Sequence, residues 1–182
     1  GVTVKDNWMQ QMIDGDVEKR TVWAKVLQSR GEMGYPYIFF TDNANNGAAD
    51  VYKDKKLPIY ASNLCTEIML PSNHDWSFVC VLSSINVLHY DKWKDTDAVE
   101  TMIYFLDAVI TEFLEKLEVY KNSDNRDDQQ TFLFMERAYN FSKENRALGM
   151  GVLGWHSLLQ SKMLPFDSQG AYDLNSEVFK NI

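Results

Sequence analysis

Apolar residues recur with a helical period through the second half of the chain. Over residues 95–120 they stand three or four positions apart, which places them on one face of a helix. The members of this stripe are Val99, Met102, Ile103, Leu106, Val109, Ile110, Phe113 and Leu117. A charged loop at 121–128 separates this helix from a second predicted helix at 129–145. The second helix carries an aromatic stripe expected in the core, formed by Phe132, Phe134, Tyr139 and Phe141.

The beginning of the chain predicts two shorter helices. Asp6 is a candidate N-cap for a helix that ends near Gly15. A second helix is predicted over residues 20–30, and Gly31 and Gly34 are expected to break it. We interpret both helices as scaffold.

Extended segments are predicted between these helical regions. Residues 37–41 form an unbroken apolar run rich in β-formers, which is typical of a strand buried on both faces. The polar residues 42–50 that follow would be a surface loop on pattern alone. Further on, residues 72–75 predict a turn, and residues 76–82 predict a strand that runs back from it.

A glycine-rich motif stands near the C-terminal end. Residues 149–154 read GMGVLG and satisfy the pattern G-x-G-x-x-G. The dinucleotide-binding fingerprint requires a buried strand immediately before the glycines, whereas residues 141–146 are polar and predict the end of a helix. We therefore predict no dinucleotide site. Pro165 interrupts the chain before a last helix at 168–182.

Composition narrows the class of protein. The 182 residues are 45% hydrophobic and carry a net charge of -8, which suits one soluble domain and argues against a nucleic-acid surface or an anionic membrane as partner. No apolar run approaches the roughly 18 residues of a membrane span, and the first residues lack a signal peptide. We therefore expect a cytoplasmic protein with reduced cysteines. Its three histidines lack ligand spacing, so no metal site is predicted.

Candidate chemistry concentrates in residues 62–68, which read SNLCTEI. In an extended chain, Asn63, Cys65 and Glu67 share one face, because alternate side chains point the same way. They offer an amide that orients a substrate, a sulfur for redox or radical chemistry, and a carboxylate that takes a proton. On spacing alone, a buried structural cysteine flanked by solvent-facing polar residues is the commoner interpretation.

The strings themselves resemble a known family. Residues 62–68, SNLCTEI, resemble the active-site finger loop of the large catalytic subunit of class I ribonucleotide reductase. Upstream, residues 34–42, GYPYIFFTD, with Asn45 after them, are similar to the family's strand and Asp-x-x-Asn turn. Downstream, residues 78–86, FVCVLSSIN, resemble the strand with the second active-site cysteine, and residues 146–154, RALGMGVLG, resemble a further core segment. The four blocks follow the family's order and cover nearly all of the chain.

The resemblance implies an α/β fold, a helix-rich part of the ten-stranded α/β barrel of ribonucleotide reductase with the finger loop threaded through its centre. Residues 1–182 would be one central segment of that barrel, truncated at both ends, because the family's N-terminal partner cysteine, phosphate-binding loop and tyrosine pair cannot be placed in this sequence. Residues 149–154 would contribute a short inner strand that feeds a helix at 153–162. The extended segments around Cys65 and Cys80 would lie side by side, with both sulfurs facing one cavity.

The resemblance also implies thiyl-radical reduction of a ribonucleoside diphosphate. Cys65 would carry the radical that removes the 3' hydrogen, and Glu67 would accept the 3'-hydroxyl proton while the 2'-hydroxyl leaves as water. Asn63, with Ser62 beside it, would bind the substrate. A barrel interior would desolvate Glu67 and so make its carboxylate a better proton acceptor.

Other residues and proteins are implied in supporting roles. Cys80 resembles one thiol of the reducing pair, whose partner normally comes from an earlier strand. Asp42 and Asn45 would anchor the active-site wall rather than contact substrate. The chain would bind no cofactor directly: the radical would come from a small subunit with a diiron or dimanganese centre, and thioredoxin or glutaredoxin would act as reductant. The remaining large-subunit segments would complete the barrel.

Three interpretations stay open at this point. The chain is a catalytic-core segment of a ribonucleotide reductase that makes deoxyribonucleotides for DNA replication, a non-catalytic assembly piece of a split reductase, or an unrelated helical interaction domain whose cysteines belong to the core.

Overall fold

The computed structural model of the protein describes residues 1–64 and 66–182. Its contacts divide the chain into two compact units, residues 1–78 (unit 1) and residues 79–182 (unit 2). Each unit is described by itself. That residues 1–182 form one segment of a single barrel stays a prediction.

Unit 1 combines a two-stranded parallel sheet with four helices among its described residues. In chain order these are β1 (Val2–Val4), α1 (Asp6–Ile13), α2 (Val17–Met33), β2 (Ile38–Phe40), α3 (Thr41–Asn46) and α4 (Asp50–Asp54). β1 pairs with β2 so that Val2 lies opposite Ile38 and Val4 opposite Phe40. α1 packs on α2 through an edge-to-face contact of Trp8 with Trp23, whose ring centroids lie 6.2 Å apart. The unit is therefore a small sheet with a helical pair beside it.

The two predicted helices of unit 1 are confirmed, with corrections at their ends. Asp6 is not the N-cap of α1, because the capping position belongs to Lys5, which makes no side-chain capping bond. α2 begins earlier than predicted, since Asp16 caps it by accepting a hydrogen bond from the Lys19 N–H at 3.0 Å. Gly31 stays inside α2, and only Gly34, with a left-handed φ of 75°, ends it.

The strand predicted at residues 37–41 is shorter than predicted and is not buried on both faces. β2 has three residues, of which Phe39 is 6% exposed and Phe40 is 40% exposed. Successive side chains point to opposite faces. Buried Val4 of β1 lies opposite Phe40 and buried Phe39 lies opposite exposed Thr3, so each face of this small sheet is only partly covered within the described residues. The polar stretch after it is not a plain loop, since α3 and α4 occupy much of it.

Unit 2 is mainly helical and contains a second two-stranded parallel sheet. Its elements are β3 (Leu82–Asn86), a 3₁₀ turn (Val87–His89), α5 (Tyr90–Trp93), α6 (Ala98–Lys121), α7 (Arg126–Asn145), β4 (Gly149–Leu153), α8 (Trp155–Ser161) and α9 (Gln169–Lys180). β3 and β4 pair in register from Leu82 opposite Gly149 to Asn86 opposite Leu153. The long helices and the strand that feeds α8 are confirmed. Within the described ranges, no helix is both long and apolar enough to cross a membrane.

Two apolar clusters hold unit 2 together. One consists of Val87, Tyr90, Leu158, Leu159, Ala171, Leu174 and Val178, and the other of Leu117, Phe132 and Tyr139. The predicted aromatic stripe of α7 is confirmed at Phe132, Tyr139 and Phe141 and wrong at Phe134, which is 86% exposed. Phe134 lies about 200° around the helix from Phe132, on the same face as Phe141, which is buried near the C-terminal end of α7. Burial of that face therefore changes along the helix.

The strand predicted at residues 76–82 is wrong in position. The turn before it is confirmed, because Asn73 Oδ1 accepts hydrogen bonds from the Asp75 and Trp76 N–H groups at 2.8 and 2.9 Å. β3 begins only at Leu82, where its ladder with β4 starts. Strand limits are thus decided by where the partner strand lies, which a local apolar pattern does not contain.

Gly154 occupies the corner between β4 and α8 and gives a stability prediction. Its φ is 80°, and an added Cβ would come within 2.4 Å of Asn86 Oδ1. Asn86 has little freedom to move, because its Oδ1 accepts from the Leu88 N–H and its carbonyl accepts from Trp93 Nε1. We expect Gly154→Ala to lower the free energy of unfolding in urea by about 2 kcal/mol.

Gly31→Ala is the matched control for this substitution. Gly31 lies within α2, and its added Cβ would meet no described atom within 4 Å. Alanine is the better helix former, so this variant should be as stable as the parent or more stable by up to about 1 kcal/mol. Equal stability of the Gly154 variant and the parent would contradict the proposed steric conflict.

Candidate functional site

The described residues of the 62–68 loop, 62–64 and 66–68, are not one extended segment. Thr66 has a left-handed φ of 68°, and its N–H donates to the Asn63 carbonyl at 3.3 Å. A left-handed residue reverses the chain direction, so the predicted alternation of a chemical and a packing face is wrong for the described residues of this loop. Side-chain hydrogen bonds of short polar residues compete with extended backbone and favour such turns.

Ser62 and Asn63 close the loop on itself. Asn63 Oδ1 accepts hydrogen bonds from the N–H groups of Glu67 and Ile68, at 3.1 and 3.3 Å. Ser62 Oγ donates to the Ile68 carbonyl at 2.5 Å and lies 3.2 Å from Asn63 Oδ1. Because a hydroxyl has one hydrogen, the shorter contact takes it. The loop therefore brings the Asn63 amide against the backbone of Glu67, and Oδ1 is occupied within the loop.

The side chains of the loop differ in exposure. Ser62 and Asn63 are half-buried, whereas Glu67 is exposed and Leu64 is 89% exposed. The expected desolvation of Glu67 by a barrel interior is therefore not present in this chain, where its carboxylate faces water. Leu64 is a single exposed apolar side chain, which is common on protein surfaces.

Of the two cysteines, the structure describes only Cys80. Cys65 lies outside the described residues. Cys80 is exposed and belongs to unit 2, where it precedes Val81 and the first residue of β3. The Val81 carbonyl accepts from the Gly149 N–H at 2.9 Å, so the backbone next to Cys80 is fixed to the start of β4. That both sulfurs face one cavity stays a prediction.

Asp42 connects the end of β2 to α1. Its carboxylate Oδ2 accepts a hydrogen bond from the Asp6 N–H at 2.7 Å. Asp6 opens α1, and its N–H is one of the groups that no carbonyl within a helix can reach. A carboxylate at that position also interacts favourably with the positive end of the helix dipole. Asp42 therefore acts as the cap that α1 lacks in its own sequence.

Asn45 fixes the chain that leads into the loop. Its Oδ1 accepts from the Ile59 N–H and its Nδ2 donates to the Ile59 carbonyl, both at 2.8 Å. Nδ2 also donates to the Thr41 carbonyl at 2.8 Å. Ile59 is completely buried, so the amide serves as a hydrogen-bond partner for backbone that water cannot reach. This anchoring of Ile59 was not predicted, and no local sequence pattern predicts it.

A cleft of about 700 Å³ in unit 1 does not coincide with these residues. It lies among β1, α1 and α2, and its walls include Val4, Trp8, Trp23 and Tyr60. Among the described residues, none of the predicted site residues lines it. Size alone therefore does not locate the chemistry of this chain, and the loop remains the candidate site because of its polar residues.

Comparisons with known proteins agree over almost the whole chain. The family described as "Ribonucleotide reductase, barrel domain" matches residues 4–182. The putative ribonucleoside-diphosphate reductase large subunit of Frog virus 3 is 37% identical over 166 residues, which are 91% of this chain and 27% of that protein. The large subunit of Caenorhabditis elegans is 31% identical over 167 residues, which are 91% of this chain and 19% of that protein.

A solved structure gives the same result. The class Id ribonucleotide reductase alpha subunit of Actinobacillus ureae is 52% identical, with a TM-score of 0.81, and the match covers 100% of this chain and 32% of that subunit. The chain thus spans less than a third of the length of each of these three relatives.

Proposed function

Because this chain belongs to the ribonucleotide reductase barrel-domain family, we propose that it is part of a large subunit that reduces ribonucleoside diphosphates to deoxyribonucleotides. The family and the α/β barrel fold class predicted from the sequence are confirmed by these matches. The interpretation as an unrelated helical domain is wrong, since the family is matched. The expected core position is also wrong for Cys80, which is exposed, whereas Cys65 lies outside the described residues. The observation that carries the proposal is the closed 62–68 loop, which gathers the Asn63 amide and Glu67.

In the proposed reaction, a thiyl radical on Cys65 removes the 3' hydrogen atom of the substrate. Glu67 takes the proton of the 3'-hydroxyl, and the 2'-hydroxyl leaves as water with a proton from the reducing thiols. After the 2' carbon is reduced, Glu67 returns its proton to the 3' oxygen, and the Cys65 thiol returns the hydrogen atom to the 3' carbon and becomes the thiyl radical again. Asn63 binds the ribose through Nδ2, because Oδ1 is held by the Glu67 and Ile68 N–H groups. Ser62 can accept a substrate hydroxyl hydrogen on its oxygen while its own hydrogen goes to Ile68. The exposed Glu67 would become desolvated only when substrate and further protein cover it.

Cys80 supplies one of the two thiols that reduce the substrate. The two thiols become a disulfide, their two electrons and two protons reduce the 2' carbon, and the oxygen leaves as water. The second thiol would come from a part of the large subunit that this sequence does not contain. Exposure of Cys80 supports this role, since an oxidised pair must be accessible to the reductant. Thioredoxin or glutaredoxin would return the disulfide to thiols.

Asp42 and Asn45 support the site without touching substrate. Asp42 holds α1 at the end of β2, and Asn45 holds Ile59 ahead of the loop. The radical itself would be generated at the metal centre of a separate small subunit. Residues of this chain would receive it at Cys65 and would not bind that metal.

The proposal is tested with the full-length large subunit that contains this segment, mixed with its small subunit, a nucleoside diphosphate and a dithiol reductant. Formation of the deoxynucleotide supports it, and absence of product from a complex with a measurable radical in the small subunit contradicts it. Mixing this chain with the complementary large-subunit segments separates catalytic from purely assembling roles. A split reductase in which Cys65→Ser is fully active would show that this chain serves assembly alone.

Exposed apolar surface predicts that this chain associates when it is produced alone. α2 contains no buried residue, and Val17 and Met33 are 77% and 65% exposed. Each described sheet has two strands, so each strand offers one edge to a further strand. We expect sedimentation velocity to show self-association, and co-expression with the complementary segments to replace it by a defined complex. A stable monomer with sharp thermal unfolding would contradict this prediction.

A further inference from the structure

The 62–68 loop contains a strained residue and a set of bonds that hold it. Thr66 is β-branched and has a φ of 68°, a conformation that such residues rarely adopt. Strained backbone of this kind persists only where surrounding contacts determine it, and it collects at functional sites. The contacts here come from Ser62 and Asn63, which bind the backbone on the far side of Thr66.

Ser62 makes the shortest of these contacts. Its hydroxyl donates to the Ile68 carbonyl at 2.5 Å, joining the first residue of the loop to the last. Asn63 Oδ1 binds the Glu67 and Ile68 N–H groups from the same side. The hydroxyl lies 3.2 Å from that oxygen, so one short chain of polar atoms spans the base of the loop. We refer to the bond from Ser62 to Ile68 as the Ser62 clasp.

We propose that Ser62 is a positioning residue, whose clasp keeps Thr66 in its left-handed conformation and thereby fixes Asn63 and Glu67 relative to each other. This inference rests on the proposed function, because it assigns those two residues to the reaction. A clasp acts through the loop and is present without substrate. It is additional to any acceptor contact that the Ser62 oxygen makes with the ribose, since the clasp uses only the hydroxyl hydrogen.

The test uses the full-length large subunit that contains this segment, assembled with its small subunit. Ser62→Ala should lower kcat by about tenfold, a larger change than any rise in KM for the nucleoside diphosphate caused by loss of the acceptor contact, because a misplaced reacting group costs rate more than binding. Ser62→Thr keeps the hydroxyl and should restore kcat to within about twofold. Ser176→Ala is the matched control: Ser176 is an exposed serine of α9 whose hydroxyl bonds its own helix at Tyr172, and its loss should change neither constant.

Amide hydrogen exchange measured without substrate tests the clasp separately, because the loss of a contact to substrate cannot change it. The amides of Glu67 and Ile68 are held by Asn63 Oδ1, and Ser62→Ala should make the peptide that contains them exchange about tenfold faster. Thr66→Gly removes the strain, so adding Ser62→Ala to that variant should cost less than about threefold in kcat. If Ser62→Ala lowers kcat less in the Thr66→Gly variant than in the parent, the clasp acts by holding Thr66 in its strained conformation.

The clasp is overturned if Ser62→Ala leaves both kcat and exchange unchanged. It is also overturned if the variant raises KM alone, since the hydroxyl then serves only to bind substrate, or if its cost in kcat is the same in the Thr66→Gly background. Failure of the proposed function is a different result: the parent complex then makes no deoxynucleotide. In that case the exchange of the Ser62→Ala subunit, measured without substrate, still decides whether the clasp exists.

Discussion

Replacing Cys65 with serine in the assembled enzyme is expected to abolish both deoxynucleotide formation and removal of the 3' hydrogen. A serine hydroxyl has almost the size of a thiol, yet its O–H bond is far stronger than an S–H bond, so it cannot serve as the radical carrier. Substrate labelled with tritium at the 3' position measures the step directly. We expect tritium release to fall to background in this variant while binding of the nucleoside diphosphate persists.

Cys80→Ser is the informative comparison, because the proposed role of Cys80 comes after hydrogen abstraction. This variant should still release tritium in a first encounter with substrate and should fail in multiple turnover, since no disulfide can form at that position. Equal loss of tritium release in both variants would contradict the division of roles. Full turnover by the Cys80→Ser variant would show that Cys80 is not one of the two reducing thiols.

The parts of the fold that the sequence predicts best are those in which local periodicity and burial agree. α6 and α7 follow from apolar residues three and four positions apart, and Leu106, Ile110 and Leu117 are indeed buried. Phe134 shows the limit of this argument, because it shares a face of α7 with Phe141, yet only Phe141 is buried. The periodic signal is thus reliable for the element and less so for each member.

The strands were predicted less well for a different reason. A strand begins where a partner supplies hydrogen bonds, and β3 begins opposite Gly149, which is distant in sequence. The apolar run at residues 37–41 gives the position of β2 but not its three-residue length or the exposure of Phe40. These properties depend on the neighbouring strand, so no window of local sequence contains them.

The candidate site was identified from its sequence motif and not from its geometry. The positions of Asn63 and Glu67 followed from resemblance, whereas the left-handed Thr66 and the bonds that close the loop came only from the structure. The pairing of Asn45 with Ile59 spans 14 positions and is equally invisible in sequence. Side-chain amides that satisfy distant backbone groups leave no periodic trace, because each is a single residue placed by tertiary structure.

Glu67→Gln should leave the loop intact and remove the proposed base. The bond between Glu67 and Asn63 uses the Glu67 backbone N–H, so changing the side chain leaves the 3.1 Å contact in place. Glutamine keeps the size of the side chain and cannot accept the 3'-hydroxyl proton as a carboxylate does. We expect deoxynucleotide formation to fall by about 10²-fold or more, because general-base catalysis typically contributes a rate factor of that size. Substrate binding should change little.

Two control variants test whether this loss is specific to the Glu67 carboxylate. Glu67→Asp retains the carboxylate on a shorter side chain and should keep part of the activity, whereas Glu144→Gln, an exposed glutamate of α7, should keep all of it. Because the Glu67 carboxylate is exposed in this chain, its importance depends on being covered when substrate and the rest of the large subunit are present. If Glu67→Gln stayed within about twofold of the parent in a complex limited by chemistry, the carboxylate would be a solvated bystander, and the proton would have to leave the 3'-hydroxyl by another group.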